Sequence, residues 1–104
     1  MYKDEFPDYD AELWVPNGFV DASWHNDACP HVEKNLFASP AFDLRVEIWQ
    51  DYKDIDKREY DHGCRYMFVI RANGSEIFTY GTDNLYEIKE IVIENGCNWV
   101  NFAL

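Results

Sequence analysis

The side chains best suited to chemistry crowd into one stretch, Asp21-Ala22-Ser23-Trp24-His25-Asn26-Asp27-Ala28-Cys29-Pro30-His31. Zinc takes imidazole and thiolate ligands, and a structural zinc site wants four. His25, Cys29 and His31 would supply three, with His62 or Cys64 completing the shell. The spacing fits no finger or knuckle template, however, and the only other tight pair is His62-Gly63-Cys64. A nucleophilic site would set Cys29 against His25 or His31 as base, yet no nucleophile elbow or thiol-enzyme signature surrounds it. The structural reading outranks both. In it Trp24 plugs the core, Ser23, Asn26 and Asp27 hydrogen-bond to loop amides, and Pro30 fixes the exit. Asp21, Ser23, Trp24, Asn26 and Asp27 then form a structural loop, with no catalytic residue and no cofactor expected.

A second cluster runs from Asp51 to Asp61, with five carboxylates in Asp51-Tyr52-Lys53-Asp54-Ile55-Asp56-Lys57-Arg58-Glu59-Tyr60-Asp61. Calcium takes six to eight oxygens, but the EF-hand glycine and the closing glutamate are missing. Lys53, Lys57 and Arg58 compete for the same carboxylates, so a solvated connection is expected. All five glycines fall at turns, which leaves no phosphate-binding loop.

The charge balance is the broadest signal. Twenty acids against nine bases give a net charge of −11 over 104 residues, with a pI near 4.4. A magnitude of roughly 2–8 suffices for the solubility of a small domain. Residues 1–33 hold eight acids against Lys3 alone, and Glu76 onward holds five against Lys89. Such a surface repels nucleic-acid phosphate and attracts basic partners. Disorder is not implied, because acidic disordered segments lack aromatics, whereas this chain has four Trp, seven Tyr and seven Phe. The expectation is one domain over 1–104 with an acidic arm over about 1–11. No membrane span and no secretory leader are visible, so a cytoplasmic location is expected. Cys29, Cys64 and Cys97, odd in number and irregular in spacing, read as reduced thiols.

Elements must position these groups. The arm is expected either to be loosely ordered or to pack through Phe6 and Tyr9. Glu12-Leu13-Trp14-Val15 reads as a short extended piece stopped by Pro16-Asn17-Gly18, and 19–42 as a long irregular connection. Leu44, Val46 and Ile48 alternate with charges, the mark of a half-buried strand. Arg65 to Ala72 reads as a central strand, Asn73-Gly74 as a hairpin turn, and Glu76 to Tyr80 as the returning strand. Thr82 or Asp83 caps a helix over 83–95 whose buried face is Leu85, Ile88, Ile91 and Val92, with Asn95-Gly96 as its stop. Residues 98–103 could add an edge strand. The fold class is α+β: an antiparallel sheet of four to five strands with one C-terminal helix on a face.

Asp-x-Ser-Trp-His-Asn-Asp-x-Cys-Pro, an alternating strand ending in Trp49-Gln50-Asp51-Tyr52, and the later Thr-Asp-capped helix together resemble small phage and plasmid proteins. The resemblance covers roughly 19–95; Tyr2 to Glu12 is extra to it. It implies a mobile-element origin, in a class where acidic inhibitors of host defence, including anti-CRISPR proteins and DNA mimics, are common. It carries no activity and no catalytic residues. The function expected is therefore an acidic inhibitor, not an enzyme, that binds the basic surface of a nucleic-acid-handling protein and neither nucleic acid nor membrane. Its candidate contacts are Asp4, Glu5, Asp8, Asp10 and Glu12 in the arm and Glu87, Glu90 and Glu94 on the helix. The alternatives are an accessory module that docks through exposed aromatics and, behind it, a Cys/His metal-binding or hydrolytic protein.

Overall fold

The structure is a computed structural model that describes residues 1–59 and 63–95, without the side chains of Glu94 and Asn95. His62, Gly96, Cys97 and the expected edge strand over 98–103 lie outside the described residues. The elements are α1 (Tyr2–Glu5), β1 (Val20–Asp21), β2 (His31–Ala38), β3 (Asp43–Gln50), a 3-10 turn (Ile55–Lys57), β4 (Tyr66–Ala72), β5 (Ser75–Thr82) and α2 (Leu85–Asn95). The five strands form one antiparallel meander in chain order. The fold class is thus α+β, with one C-terminal helix and a short N-terminal one besides. Among the described residues no helix is long and apolar enough to cross a membrane.

Period-two alternation builds the core. Val32 of β2, Leu44, Val46 and Ile48 of β3, and Tyr66, Phe68 and Ile70 of β4 bury on one face, where Ile88 of α2 joins them. Leu85, Ile91 and Val92 pack around that centre, so the helical face read from the sequence is the buried one. Each such side chain contributes about 1.5–3 kcal/mol when fully buried. The β4–β5 hairpin closes through Asn73 (φ 51°) and Gly74 (φ 81°), the paired left-handed conformations of a two-residue turn. Asn73 also stitches this turn to β3, since its Oδ1 accepts from the Asp43 amide at 2.8 Å.

The structure corrects or sharpens four sequence expectations. Residues 19–42 are not an irregular connection, because they contain β1 and β2. The alternation of β2 was hidden by a bulge: Asn35 pairs with Arg45 and Phe37 with Leu44, leaving Leu36 as the extra residue. Second, the short extended piece Glu12–Val15 pairs with a side chain and not with a strand. Gln50, 1% exposed, stands in for a partner strand by donating to the Trp14 carbonyl at 2.7 Å and accepting from its amide at 2.8 Å. Third, α2 begins later than expected. Asn84 is its cap, with Oδ1 accepting from the Tyr86 amide at 3.0 Å. Thr82 instead accepts from the Asn84 amide, and Asp83 from the Arg65 amide at 2.9 Å. Fourth, of the two readings of the arm, packing through Phe6 and Tyr9 is the one the structure has. Phe6 is buried, and Tyr9 stacks edge-on against both Tyr2 and Tyr52.

Candidate functional site on the open face of the sheet

Helix α2 covers the face of the even-numbered residues of β3 and β4. The odd positions point the other way, where no described helix lies. Pairing puts Trp49 beside His31 and Met67, Glu47 beside Glu33 and Val69, and Arg45 beside Arg71. An open groove of about 420 Å³ runs along this face. Trp49, Met67 and Val69 line it together with Asp27, Asp51 and Arg71.

Bonded to two of these lining residues, Trp49 and Arg71, is a charge that the alternation pattern assigns to solvent. Glu47 is only 3% exposed. Its Oε1 accepts from Arg71 Nε at 2.8 Å and from the Trp49 indole at 3.0 Å. Arg45 Nε lies 2.9 Å from Oε2, without the alignment of a hydrogen bond. Burial works to raise the Glu47 pKa, but the bonds from Arg71 and Trp49 and the two guanidinium charges hold it below the usual carboxylate range. Glu76 of β5 reaches Arg71 from the rim at 3.4 Å.

His31 joins this network from β2. Its ring stacks on Trp49, centroids 3.9 Å apart and 16° from parallel. Nε2 lies 3.4 Å from Glu33 Oε2, while Nδ1 faces Asp27 Oδ2 at 3.9 Å and has no hydrogen-bond partner. The other candidate ligands go elsewhere. The exposed ring of His25 is held by Glu5, with Nδ1 2.9 Å from Oε1, and that contact lowers the Glu5 pKa. Cys29 is buried; burial first, then the charges of Asp51 and Asp27, push its thiol far up, away from the thiolate needed for attack. His25, Cys29 and His31 therefore do not form one ligand set. The group of potential ligands among the described residues is His31, Glu33 and Glu47, with donor atoms all within 4.8 Å of one another. Spacing puts His31 and Glu33 on one side of β2, and Glu47 joins them only through β2–β3 pairing.

Asp21 and Ser23 hold the loop as expected, while Trp24, Asn26 and Asp27 depart from the expectation. Asp21 accepts from the Tyr2 amide at 2.7 Å and from the Ser23 amide at 3.0 Å, tying α1 to the loop. Ser23 Oγ accepts from the His31 amide at 3.2 Å. Trp24, however, does not plug the core; it is 52% exposed. The Asp27 amide bonds back to the Trp24 carbonyl, which puts Trp24 on the outside of a tight turn. Cys29 and Pro30 are the buried anchors instead. Asn26 is also exposed and bonds to no loop amide, and the Asp27 carboxylate faces His31.

The acidic candidates divide by the work they already do. Asp8 accepts from the Tyr52 hydroxyl at 2.7 Å, and Asp10 accepts from the Lys53 and Asp54 amides at 2.8 Å each. On α2, Glu87 reaches back to the hydroxyls of Thr82 and Tyr80, which lower its pKa. Asp4, Glu12 and Glu90 are exposed; the Glu94 side chain is outside the described residues. The Asp51–Asp61 cluster is used locally as well: Asp51 accepts from the Tyr52 amide and Asp54 from the Asp56 amide. No protein-family model, curated protein or solved structure matches this chain.

Proposed function

We propose that this chain is an acidic protein inhibitor that occupies the basic nucleic-acid-binding surface of a host defence complex in the cytosol, in the manner of an anti-CRISPR protein or DNA mimic. One spatial fact supports the reading above the others. Two acidic segments some forty residues apart in the chain converge at one end of the sheet. Asp10 grips the Lys53 and Asp54 amides and Asp8 grips Tyr52, which sets the arm against Asp51, Asp54, Asp56 and Glu59. Of the bases in that segment, Arg58 is turned inward, onto the Tyr52 and Lys53 carbonyls. Duplex DNA presents one charge per roughly 1.7 Å of axis, and a fixed cluster of carboxylates competes for the same cations. Rigidity favours the reading, since a preset array loses less freedom on binding than a flexible tail.

The test is capture from a bacterial lysate at low and high salt, followed by measuring duplex DNA uptake by the captured partner. Asp56→Lys with Glu59→Lys, both exposed, should slow association at least about tenfold at low salt. Glu90→Lys on α2 should change it little. Salt-independent capture, or a captured partner that still takes up DNA normally, sinks the proposal.

A second reading rests on the β2–β3 hairpin tip. Residues 35–42 carry no charge, and Phe37 and Phe42 are exposed with their rings 5.9 Å apart. That knob suits an accessory module that docks through aromatics. Phe37→Ser with Phe42→Ser would abolish capture at every salt concentration on this reading, and only weaken it on the first.

A further inference from the structure

We infer that His31, Glu33 and Glu47 form a binding site for a first-row divalent cation, with Zn²⁺ the best fit. Three observations carry it. The first is ligand type and spacing. One imidazole and two carboxylates lie within 4.8 Å of one another. Tetrahedral ligands at about 2.0–2.2 Å from zinc sit roughly 3.4 Å apart, and His31 Nε2 and Glu33 Oε2 are already 3.4 Å apart.

The second is an unmet bonding demand. Two buried side-chain polar atoms among the described residues have no hydrogen-bond partner, and both belong to this cluster: His31 Nδ1 and Arg45 Nε. The His31 side chain is only 8% exposed. Buried polar groups are nearly always satisfied, so two orphans at one place need a cause. A cation between Nε2, Glu33 and Glu47 supplies one for His31 Nδ1. Ligation through Nε2 fixes the proton on Nδ1, and Asp27 Oδ2, 3.9 Å away, becomes its acceptor after a small closing movement. A metal-ligating histidine usually has such a carboxylate behind it. Arg45 Nε would leave its misaligned approach to Glu47 Oε2 and turn outward.

The third is charge. Among the described residues Glu33, Glu47 and Glu76 pair with Arg45 and Arg71, and Asp27 with His31, which leaves two negative charges uncancelled with the imidazole counted as neutral. A divalent cation closes that difference. Three protein ligands leave a fourth position for water or a partner's side chain, as in zinc sites that are not closed.

The test is calorimetric titration of the metal-stripped full chain with Zn²⁺ near neutral pH, with Co²⁺ absorption as a second readout. One equivalent should bind, with a Co²⁺ spectrum that lacks thiolate charge transfer. Glu33→Gln, at a half-buried position, should weaken affinity at least about tenfold, and His31→Gln should abolish saturable binding. Cys29→Ser, Cys64→Ser and Cys97→Ser combined, or His25→Gln alone, should leave it intact. No saturable binding by the wild-type chain overturns the site, as does unchanged affinity in Glu33→Gln or binding that follows the cysteines.

Discussion

The two faces of the sheet are made by the same alternation and held together by different physics. Under α2 the packing is apolar: Val46, Ile48, Phe68, Ile70 and Ile88 exclude water with no direction required. On the open face Glu47 is as deeply buried, and its stability depends on angles and distances to Arg71, Trp49 and Arg45. The first face tolerates substitution by size, while the second tolerates almost none by charge, because a lost partner strands the remainder of the network. A period-two pattern says which residues share a side and says nothing of which side is wet.

The largest effect should come from the helix face. Ile88→Asp puts an unpaired carboxylate at the centre of the core and should cost about 4 kcal/mol or more, leaving the chain largely unfolded in a urea titration. A variant with an unshifted midpoint would show that α2 does not cover the sheet.

On the open face, Glu47→Ala should cost about 2–4 kcal/mol, somewhat below the full loss for a wholly buried pair because both guanidiniums reach solvent. The acid response follows from the direction of its shift. The Glu47 pKa is lower in the folded chain than in the unfolded one, so its ionised form stabilises above the usual carboxylate range. That stability is lost as pH falls through the folded value. The difference in melting temperature between wild type and Glu47→Gln should be wide at neutral pH and narrow as the pH falls below the usual carboxylate range. Asp51 works in the opposite direction, since burial raises its pKa. A difference that stays constant with pH would mean that the contribution of Glu47 is packing alone.

The smallest effect belongs to the residue that looks most important in the sequence. Trp24→Ala should move stability by no more than about 0.5 kcal/mol, as surface substitutions do. A loss of several kcal/mol in thermal unfolding would mean that the ring is buried after all.

What the sequence could reveal follows from range. The Asn73-Gly74 turn, the β3 alternation and the α2 face are local signals, readable in windows of two to eleven residues, and each lands where the fold has it. β2 was missed because its bulge at Leu36 breaks the period and because His31 and Glu33 look like solvent-facing residues. Trp24 was misplaced because bulk suggests burial, while the turn from Trp24 to Asp27 decides its direction. The His31–Glu33–Glu47 group and the joining of the arm to 51–59 are products of strand pairing and long-range hydrogen bonds. No local pattern encodes them. Of the three candidate ligands in the loop, His31 alone meets two carboxylates, Glu33 and Glu47, rather than His25 and Cys29.

The bulge at Leu36 has a consequence beyond register. β1 pairs only with Val32 and Glu33, so among the described residues the outer rim of β2 from Lys34 to Ala38 offers free amides and carbonyls. A straight rim ending in Leu36-Phe37-Ala38 would be a template for the same segment of a neighbouring molecule, and so a seed for fibres. The extra residue bends that rim, Lys34 places a charge on it, and Pro40 just past its end has no amide to offer. These guards oppose polymerisation through the two phenylalanines left in water at the tip of the β2–β3 hairpin.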